Sequence, residues 1–114
     1  MKSLTVSTNG GLLIFSLNDV VRLQASSNYT YIHLVNNKKI LSTKVLHIFE
    51  AALLSEGFIR LHNSHLVNKH FVKSVAPDGN VCLHDDTIIH IARRRKKDVI
   101  KQLKEILSDD TIAA

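Results

Sequence analysis

The stretch Phe58-Ile59-Arg60-Leu61-His62-Asn63-Ser64-His65-Leu66-Val67-Asn68 decides how this chain folds. Three polar residues follow one another at its centre: Asn63, Ser64 and His65. Apolar residues expected to be buried lie on both sides of them: Leu61, Leu66 and Val67. This composition predicts a short polar turn held at its two ends by buried side chains. Residues 58–61, before the turn, have the composition of a strand.

The same stretch raises the question of chemistry, because His62, His65 and His70 lie within nine residues. Their spacing matches no common zinc pattern, so we expect neither a metal nor any other cofactor. A hydrolytic triad built on Ser64 would need an oriented base, and the Gly-x-Ser-x-Gly motif is absent, so we expect no catalytic residue and no enzyme. Asparagine and histidine can instead bond bases or phosphates. For His62, a hydrogen-bonded core position and a direct contact both remain open.

Outward from this stretch, alternation and turn signals predict a β-rich chain. Asn9-Gly10-Gly11 favours a hairpin turn because these residues tolerate positive φ. Further turns are predicted at 36–37, 77–80 and 85–86. The predicted strands are residues 4–7, 12–17, 20–26, 29–35, 39–43, 58–61, 71–75, 81–83 and 87–91.

Two segments have a helical period instead. Residues 44–55 carry one apolar face, formed by Val45, Ile48, Phe49, Ala52 and Leu53. Gly57 is expected to end this helix in the left-handed conformation. A terminal helix has its own apolar face, formed by Val99, Ile100, Leu103, Ile106 and Leu107, and residues 108–114 are expected to be a frayed tail. The chain lacks the paired helices of a helix-turn-helix, so any contact with a nucleic acid would have to come from loops.

The most informative local feature is the basic run Arg93-Arg94-Arg95-Lys96-Lys97. A run of charge is usually a solvated helix face. Here, however, the cations repel one another and lie at the predicted start of the terminal helix, where the helix dipole disfavours them by about 0.3–1 kcal/mol each. Free N–H groups at a helix start bind anions. An arginine fork can bond two phosphate oxygens or guanine O6 and N7. The run therefore favours an external polyanion.

Bulk composition is consistent with this interpretation but does not decide it. The chain has 114 residues, a formal net charge of +5 and a pI near 9.6. This length predicts a single domain over 1–114, with a core of about residues 4–107. One cysteine, Cys82, excludes an internal disulfide. Without an apolar leader or a run of about 20 apolar residues, we expect a cytoplasmic protein with no membrane contact.

Three segments together resemble the LytTR family of bacterial DNA-binding domains. The closest likeness is Phe58-x-Arg60-x-His62-x-Ser64-x-Leu66-Val67-Asn68, which is similar to that family's central signature. Upstream, residues 19–29 resemble its strand-and-loop entry, and downstream, residues 79–94 resemble its closing hairpin. The resemblance implies a mostly β fold: an elongated arrangement of three small antiparallel sheets with a short central helix and a C-terminal helix.

The resemblance also implies a role and a set of site residues. It implies a transcriptional regulator that binds double-stranded DNA at bacterial promoters, at repeated half-sites, with loops inserted into successive major grooves. The implied base contacts are Asn28, Tyr29, Asn63 and Arg94. The implied phosphate or supporting contacts are Lys44, His62, Ser64, His65, Asn68, Arg93, Arg95 and Lys96. The alignment of the first loop leaves Asn28, Tyr29 and Thr30 open as its base-reading residue.

The chain departs from the family pattern in several respects, which limits how far the family's residue roles can be assigned to it. Gln24 stands where members often have Glu, and Ala92 where they often have Ser, so the chain lacks the hydroxyl that would contact a phosphate at position 92. Most members carry an N-terminal receiver domain. Since this chain begins at Met1 without one, we expect a stand-alone regulator rather than a fragment. We then also expect the chain to form a homodimer on DNA and to have an upstream regulatory protein as a partner.

Two functions other than recognition of double-stranded DNA are alternatives for this sequence. A single-stranded nucleic-acid binder would stack bases on exposed aromatic side chains, each worth about 1–3 kcal/mol. Aromatic residues are 5% of the chain, and of these only Tyr29 is expected to be available. A protein-interaction module would use the basic run to bind an acidic partner. Competition between duplex and single strand tests the first alternative, and pull-down with and without nuclease tests the second.

Overall fold

The computed structural model describes residues 2–108, the last three by backbone alone. Ten strands lie in this range: β1 Ser3–Thr8, β2 Gly11–Ser16, β3 Val20–Ser26, β4 Tyr29–Leu34, β5 Lys39–Ser42, β6 Phe58–His62, β7 His65–Asn68, β8 Val72–Val75, β9 Asn80–Leu83 and β10 Ile88–His90. Two α-helices accompany them, α1 Leu46–Leu53 and α2 Lys96–Ser108. The tail expected to fray lies outside the described residues, except for Ser108, which belongs to α2.

The strands form three antiparallel sheets, which confirms the predicted fold class. The largest has the order β5-β4-β3-β7-β6, and β1-β2 and β10-β9-β8 are the smaller two. The molecule is elongated, 46 × 30 × 24 Å. No helix in the described chain has the length and apolar composition to span a bilayer.

Each face of the large sheet carries its own core. One core combines the sheet with the β1–β2 hairpin and α1, through buried residues such as Val6, Leu23 and Phe49. The other combines the sheet with β8–β10 and α2, through residues such as Val67, Val81 and Val99. Because both faces are covered in this way, β7 is buried on both sides.

This burial explains why the sequence did not predict β7. Leu66 packs into the first core and its neighbour Val67 into the second. The sequence of a strand that is covered on both faces is a short apolar run, without the alternation of apolar and polar residues that marks a half-buried strand. The nine predicted strands are all present, with ends that differ by at most one residue from prediction.

The predicted apolar face of the central helix is wrong in part. The helix begins at Leu46 and buries Leu46, Phe49 and Leu53, whereas Val45, Ile48 and Ala52 are exposed. The apolar stripe is wider than the sheet surface it covers, so periodicity alone does not say which part is buried. Gly57 does follow in the left-handed conformation, with φ of 87°. It ends a 3₁₀ turn, Leu54–Glu56, that extends α1.

Candidate nucleic-acid interface

Two turns of the large sheet lie at the same end of it. Ser27 and Asn28 join β3 to β4, while Asn63 and Ser64 join β6 to β7. Because β3 and β7 are antiparallel neighbours, the end of β3 meets the start of β7, and the Ala25 N–H donates to the Ser64 carbonyl at 2.9 Å. Neighbouring strands are about 4.8 Å apart, so the turn centres are about 10 Å apart.

Lys44 lies at this end as well, beyond β5. The buried Thr30 hydroxyl donates to the Lys44 carbonyl at 2.8 Å, and the Lys44 N–H donates to Ser42 Oγ at 3.1 Å. The Thr30 hydroxyl is therefore hydrogen-bonded inside the protein. Of the three candidates for the base-reading residue of the first loop, Asn28 and Tyr29 remain. Asn28 is exposed in the turn, and Tyr29 is 45% exposed.

The arginines reach the same place from the other side of the sheet. The Ala92 N–H donates to the Leu61 carbonyl at 2.9 Å and fixes the chain beside β6. Arg94 Nη2 then donates to Asn63 Oδ1 at 3.0 Å, and Arg95 Nη2 donates to the same oxygen at 3.3 Å. Two predicted base-contact residues, 31 positions apart, are thus in direct contact.

We call this surface the basic end. It comprises Asn28, Tyr29, Lys44, Asn63, Ser64, Arg93, Arg94 and Arg95. The segments that form it, residues 24–31, 42–45, 62–65 and 92–97, contain no aspartate or glutamate. A cationic surface with no acidic residue in its own segments attracts polyanions over several ångströms.

Most of the basic run does not lie in the first turn of the terminal helix, where the sequence predicted it. Arg93–Arg95 form a 3₁₀ turn that precedes α2, and only Lys96 and Lys97 lie in the first turn of the helix, beside Asp98. The Lys96 ammonium donates to the Pro77 carbonyl at 3.1 Å, in the turn between β8 and β9. The arginines, rather than the lysines, are therefore the cations placed next to Asn63.

An ion pair that sequence reasoning missed holds the Asn63 turn. Arg60 Nη1 bonds Glu50 Oε1 of α1 at 2.8 Å, and both side chains are largely buried, 13% and 21% exposed. The same guanidinium donates through Nε to the His62 carbonyl at 2.8 Å and through Nη2 to the Asn63 carbonyl. Arg60 therefore connects the turn to α1. The only sequence signal was an arginine three residues before Asn63.

The histidines of the turn support its structure. His62 is half-buried, and its Nδ1 accepts the Ser64 N–H at 3.1 Å, so the turn itself occupies that nitrogen. The His65 ring lies 5.8 Å from the His62 ring, between centroids. Among residues 2–108, no three side chains of metal-ligating type come together. His70 lies elsewhere, in the 3₁₀ turn after β7.

Asn68, for which a phosphate or supporting contact was predicted, does not lie at the basic end, and its position is compatible only with a supporting role. It is 2% exposed at the opposite end of β7. Its amide donates to the Val20 carbonyl at 2.9 Å and the Leu17 carbonyl at 3.3 Å, and its Oδ1 accepts the His70 N–H at 3.1 Å. The side chain satisfies backbone groups between strands, so its role is structural.

Beside the basic end, His33 and His65 share one face of the sheet with Arg22 and Gln24. His33 Nε2 donates to Gln24 Oε1 at 3.0 Å, and Arg22 Nη1 donates to that oxygen at 3.4 Å. Burial, and then the Arg22 charge, lower the pKa of His33 to about 4. Burial, followed by Arg22 and His62, lowers the pKa of His65 to about 4 as well. Neither imidazole carries a positive charge for a phosphate at neutral pH.

These pKa shifts predict how stability depends on pH. Both histidines bind a proton more weakly in the folded state than in the unfolded state, where the pKa is about 6.5. Acid therefore favours unfolding, and stability should fall as pH drops from about 6.5 to 4. Thermal unfolding across this range should show a smaller pH-dependent loss for His33→Asn, with the exposed His47→Asn as the matched control. Equal losses for His33→Asn and the wild type would contradict the prediction.

The fold and the basic end define a small β-rich domain that presents its cations on turns rather than on a recognition helix. A family profile described as the LytTr DNA-binding domain matches residues 10–104. The chain belongs to the LytTR family of DNA-binding domains. Binding DNA and regulating transcription are thus its general functions, and the family is one of DNA-binding domains rather than of enzymes.

The fold is also that of a solved structure, the LytTr DNA-binding domain of a methyl-accepting/DNA response regulator from Bacillus cereus. The two structures have a TM-score of 0.70 and 21% sequence identity, over 94% of this chain and 97% of the other. No curated protein matches the chain.

Proposed function

We propose that this chain is a sequence-specific regulator that binds double-stranded promoter DNA by inserting the turns of its basic end into the major groove. The observation that carries the proposal is the contact of Asn63 with Arg94 and Arg95. Bidentate arginine and amide groups are the side chains that best distinguish bases in the major groove. Arg94 and Asn63 are the proposed base contacts at this point, and Asn28 and Tyr29 are those of the first turn.

Phosphate contacts follow from the cations around these turns. Lys44 lies at one side of the basic end, and Arg93 and Arg95 lie at the other. The five strands between them span about 19 Å, which exceeds the width of a major groove, about 12 Å. The basic end is therefore wide enough to meet backbone phosphates on both sides of a groove. Ser64 and His65 would contribute uncharged contacts.

The exposed side chains of the basic end suit binding to a DNA duplex better than binding to a single strand. The four phenylalanines, Phe15, Phe49, Phe58 and Phe71, pack into the two cores. At the basic end, Tyr29 is the one aromatic side chain with a large exposed surface among residues 2–108. One such ring offers stacking for a single base, whereas single-strand binders stack successive bases.

Selection from a random duplex library tests the proposal. We expect an enriched motif with a defined half-site, repeated at a fixed spacing if two copies bind side by side. Competition with single strands of the same sequence should not displace the duplex. No enrichment of any motif, even at low salt, would contradict the proposal.

Salt dependence gives a quantitative prediction. Three proposed phosphate contacts of the basic end are cationic, namely Lys44, Arg93 and Arg95, and each releases about 0.9 counterions, so log K should fall with log salt at a slope of about −2.7. Raising salt from 50 to 200 mM should then weaken binding by about 40-fold. Arg93→Gln should reduce the slope by about 0.9, measured by fluorescence anisotropy. Lys73→Gln, whose lysine pairs with Asp86 in the β8–β10 sheet, is the control.

A further inference from the structure

Strand β2 has a free edge without the features that usually protect one. Among residues 2–108, its only sheet neighbour is β1, and the two pair over six residues without a register shift. Its sequence, Gly-Leu-Leu-Ile-Phe-Ser, contains no charge and no proline. Leu12 and Ile14 point outward, 68% and 69% exposed. An even, apolar, uncharged edge strand is a template for pairing with another strand.

The edges of the two larger described sheets are protected, and the outer edge of β1 lies beside the end of β5, where the Ser7 carbonyl accepts the Thr43 N–H at 3.3 Å. β5 carries Lys39, whose ammonium lies 4.6 Å above the Tyr31 ring. β8 has a register shift between Val72 and Ser74, and it exposes Lys73. β10 is three residues long, and the Leu61 carbonyl of β6 accepts a hydrogen bond from Ala92. Lysines, bulges, short strands and covering loops are the common protections of an edge, so β2 is the exception.

Charge indicates which partner fits this edge. Residues 3–18, which include the whole β1–β2 hairpin, contain no ionisable side chain, although the chain has a net charge of +5. DNA and acidic proteins are attracted by cations, and this hairpin offers none. Two copies of a basic chain repel each other, except where neither presents a charge. We infer that β2 pairs with β2 of a second copy, antiparallel about a two-fold axis.

The register follows from the side chains. Residues opposite each other in an antiparallel pair lie on the same face of the sheet. Pairing centred on Leu13 places Leu12 opposite the partner's Ile14, and Ile14 opposite the partner's Leu12. The four most exposed apolar side chains then lie together on the outer face, and β1-β2 becomes half of a four-stranded sheet. One pair of edge strands buries less surface than a standard interface, so we expect weak, reversible association.

The two-fold axis also fixes how the copies face DNA, a step that rests on the proposed function. The β1–β2 turn lies towards the basic end, because the Thr43 N–H after β5 donates to the Ser7 carbonyl at 3.3 Å. β2 therefore runs away from the basic end, and antiparallel pairing reverses its direction in the second copy. The two basic ends point in opposite directions. Such a dimer can bridge two duplexes, and copies on neighbouring half-sites of one duplex do not use this contact.

Sedimentation velocity of the full chain without DNA tests the pairing. The wild type should form dimers as its concentration rises, and Ile14→Lys should raise the dimer dissociation constant at least about tenfold. Ile88→Lys is the matched control, since Ile88 is 66% exposed on the edge strand β10, and it should leave the constant unchanged. Leu12→Lys is a second variant at the same edge. Circular dichroism confirms that each variant is folded.

DNA measurements separate this inference from the proposed function. Ile14→Lys should bind a single short duplex as the wild type does, but it should lose the ability to link an immobilised duplex to a labelled one. A wild type that stays monomeric at every concentration, or an equal effect of Ile14→Lys and Ile88→Lys, overturns the β2 pairing. A dimer that binds no duplex would leave the pairing intact and contradict the proposed function.

Discussion

Arg94→Ala will weaken binding to the selected duplex by about 1–3 kcal/mol and relax the preference at one base position. Its guanidinium is held by Asn63 Oδ1 at 3.0 Å in the free protein, so it is oriented before DNA arrives. Binding then needs less ordering of a long side chain, which would otherwise cost free energy. Fluorescence anisotropy with the selected duplex, and with variants of each base pair, measures both effects.

Arg93→Ala is the matched control for this prediction. Arg93 is an exposed neighbour in the same 3₁₀ turn and is a proposed phosphate contact. Its loss should weaken all duplexes evenly and leave the sequence preference unchanged. Because Asn63 and Arg94 touch, the double variant Asn63→Ala/Arg94→Ala should cost less than the sum of the single variants. If Arg94→Ala changes neither affinity nor preference, the assignment of this base contact is wrong.

Arg60→Leu will lower both stability and sequence preference, although Arg60 is not a proposed DNA contact. The change leaves the largely buried Glu50 carboxylate without its partner. It also removes two hydrogen bonds to the carbonyls of the Asn63 turn. Loss of one partner of a buried pair costs about 3–5 kcal/mol, and we expect about 3 kcal/mol because both side chains keep some solvent contact. Chemical denaturation and the base-substitution series measure the two losses.

The double variant Glu50→Leu/Arg60→Leu distinguishes the two roles of Arg60. Without the carboxylate no buried charge is unpaired, so much of the stability should return. The turn still lacks its two bonds to Arg60, so the sequence preference should remain low. Lys2→Leu, which breaks the more exposed Lys2–Glu56 pair, is the control and should cost less than about 1 kcal/mol. Recovery of stability and preference together would show that Arg60 does not position the turn.

Local rules could predict most of the elements in this chain. Asn-Gly turns, alternating apolar residues and a left-handed Gly57 depend on a few neighbouring residues, and the structure contains them. The same rules failed at β7, where Leu66 and Val67 face different cores. They also failed on α1, where the apolar stripe is wider than its contact. In both places burial depends on what packs from elsewhere in the chain.

The candidate site, like the fold, could be predicted from the sequence only in part. The basic run, the polar turn and the family signature were visible in the sequence, and they indicated DNA. The sequence could not show that Asn68 faces inward or that Glu50 holds Arg60, because both depend on the side chains packed around them.

The sequence by itself therefore determined which local elements form, how much charge the chain carries and which family it resembles. The tertiary structure alone decided that Arg94 meets Asn63, that Thr30 is buried beside Lys44 and that one edge of β2 has no sheet neighbour among the described residues. The physical reason is the distance along the chain over which each kind of interaction acts. Turn and strand preferences act between adjacent residues, whereas these contacts join positions far apart in the chain, which only the packing of the sheets brings together.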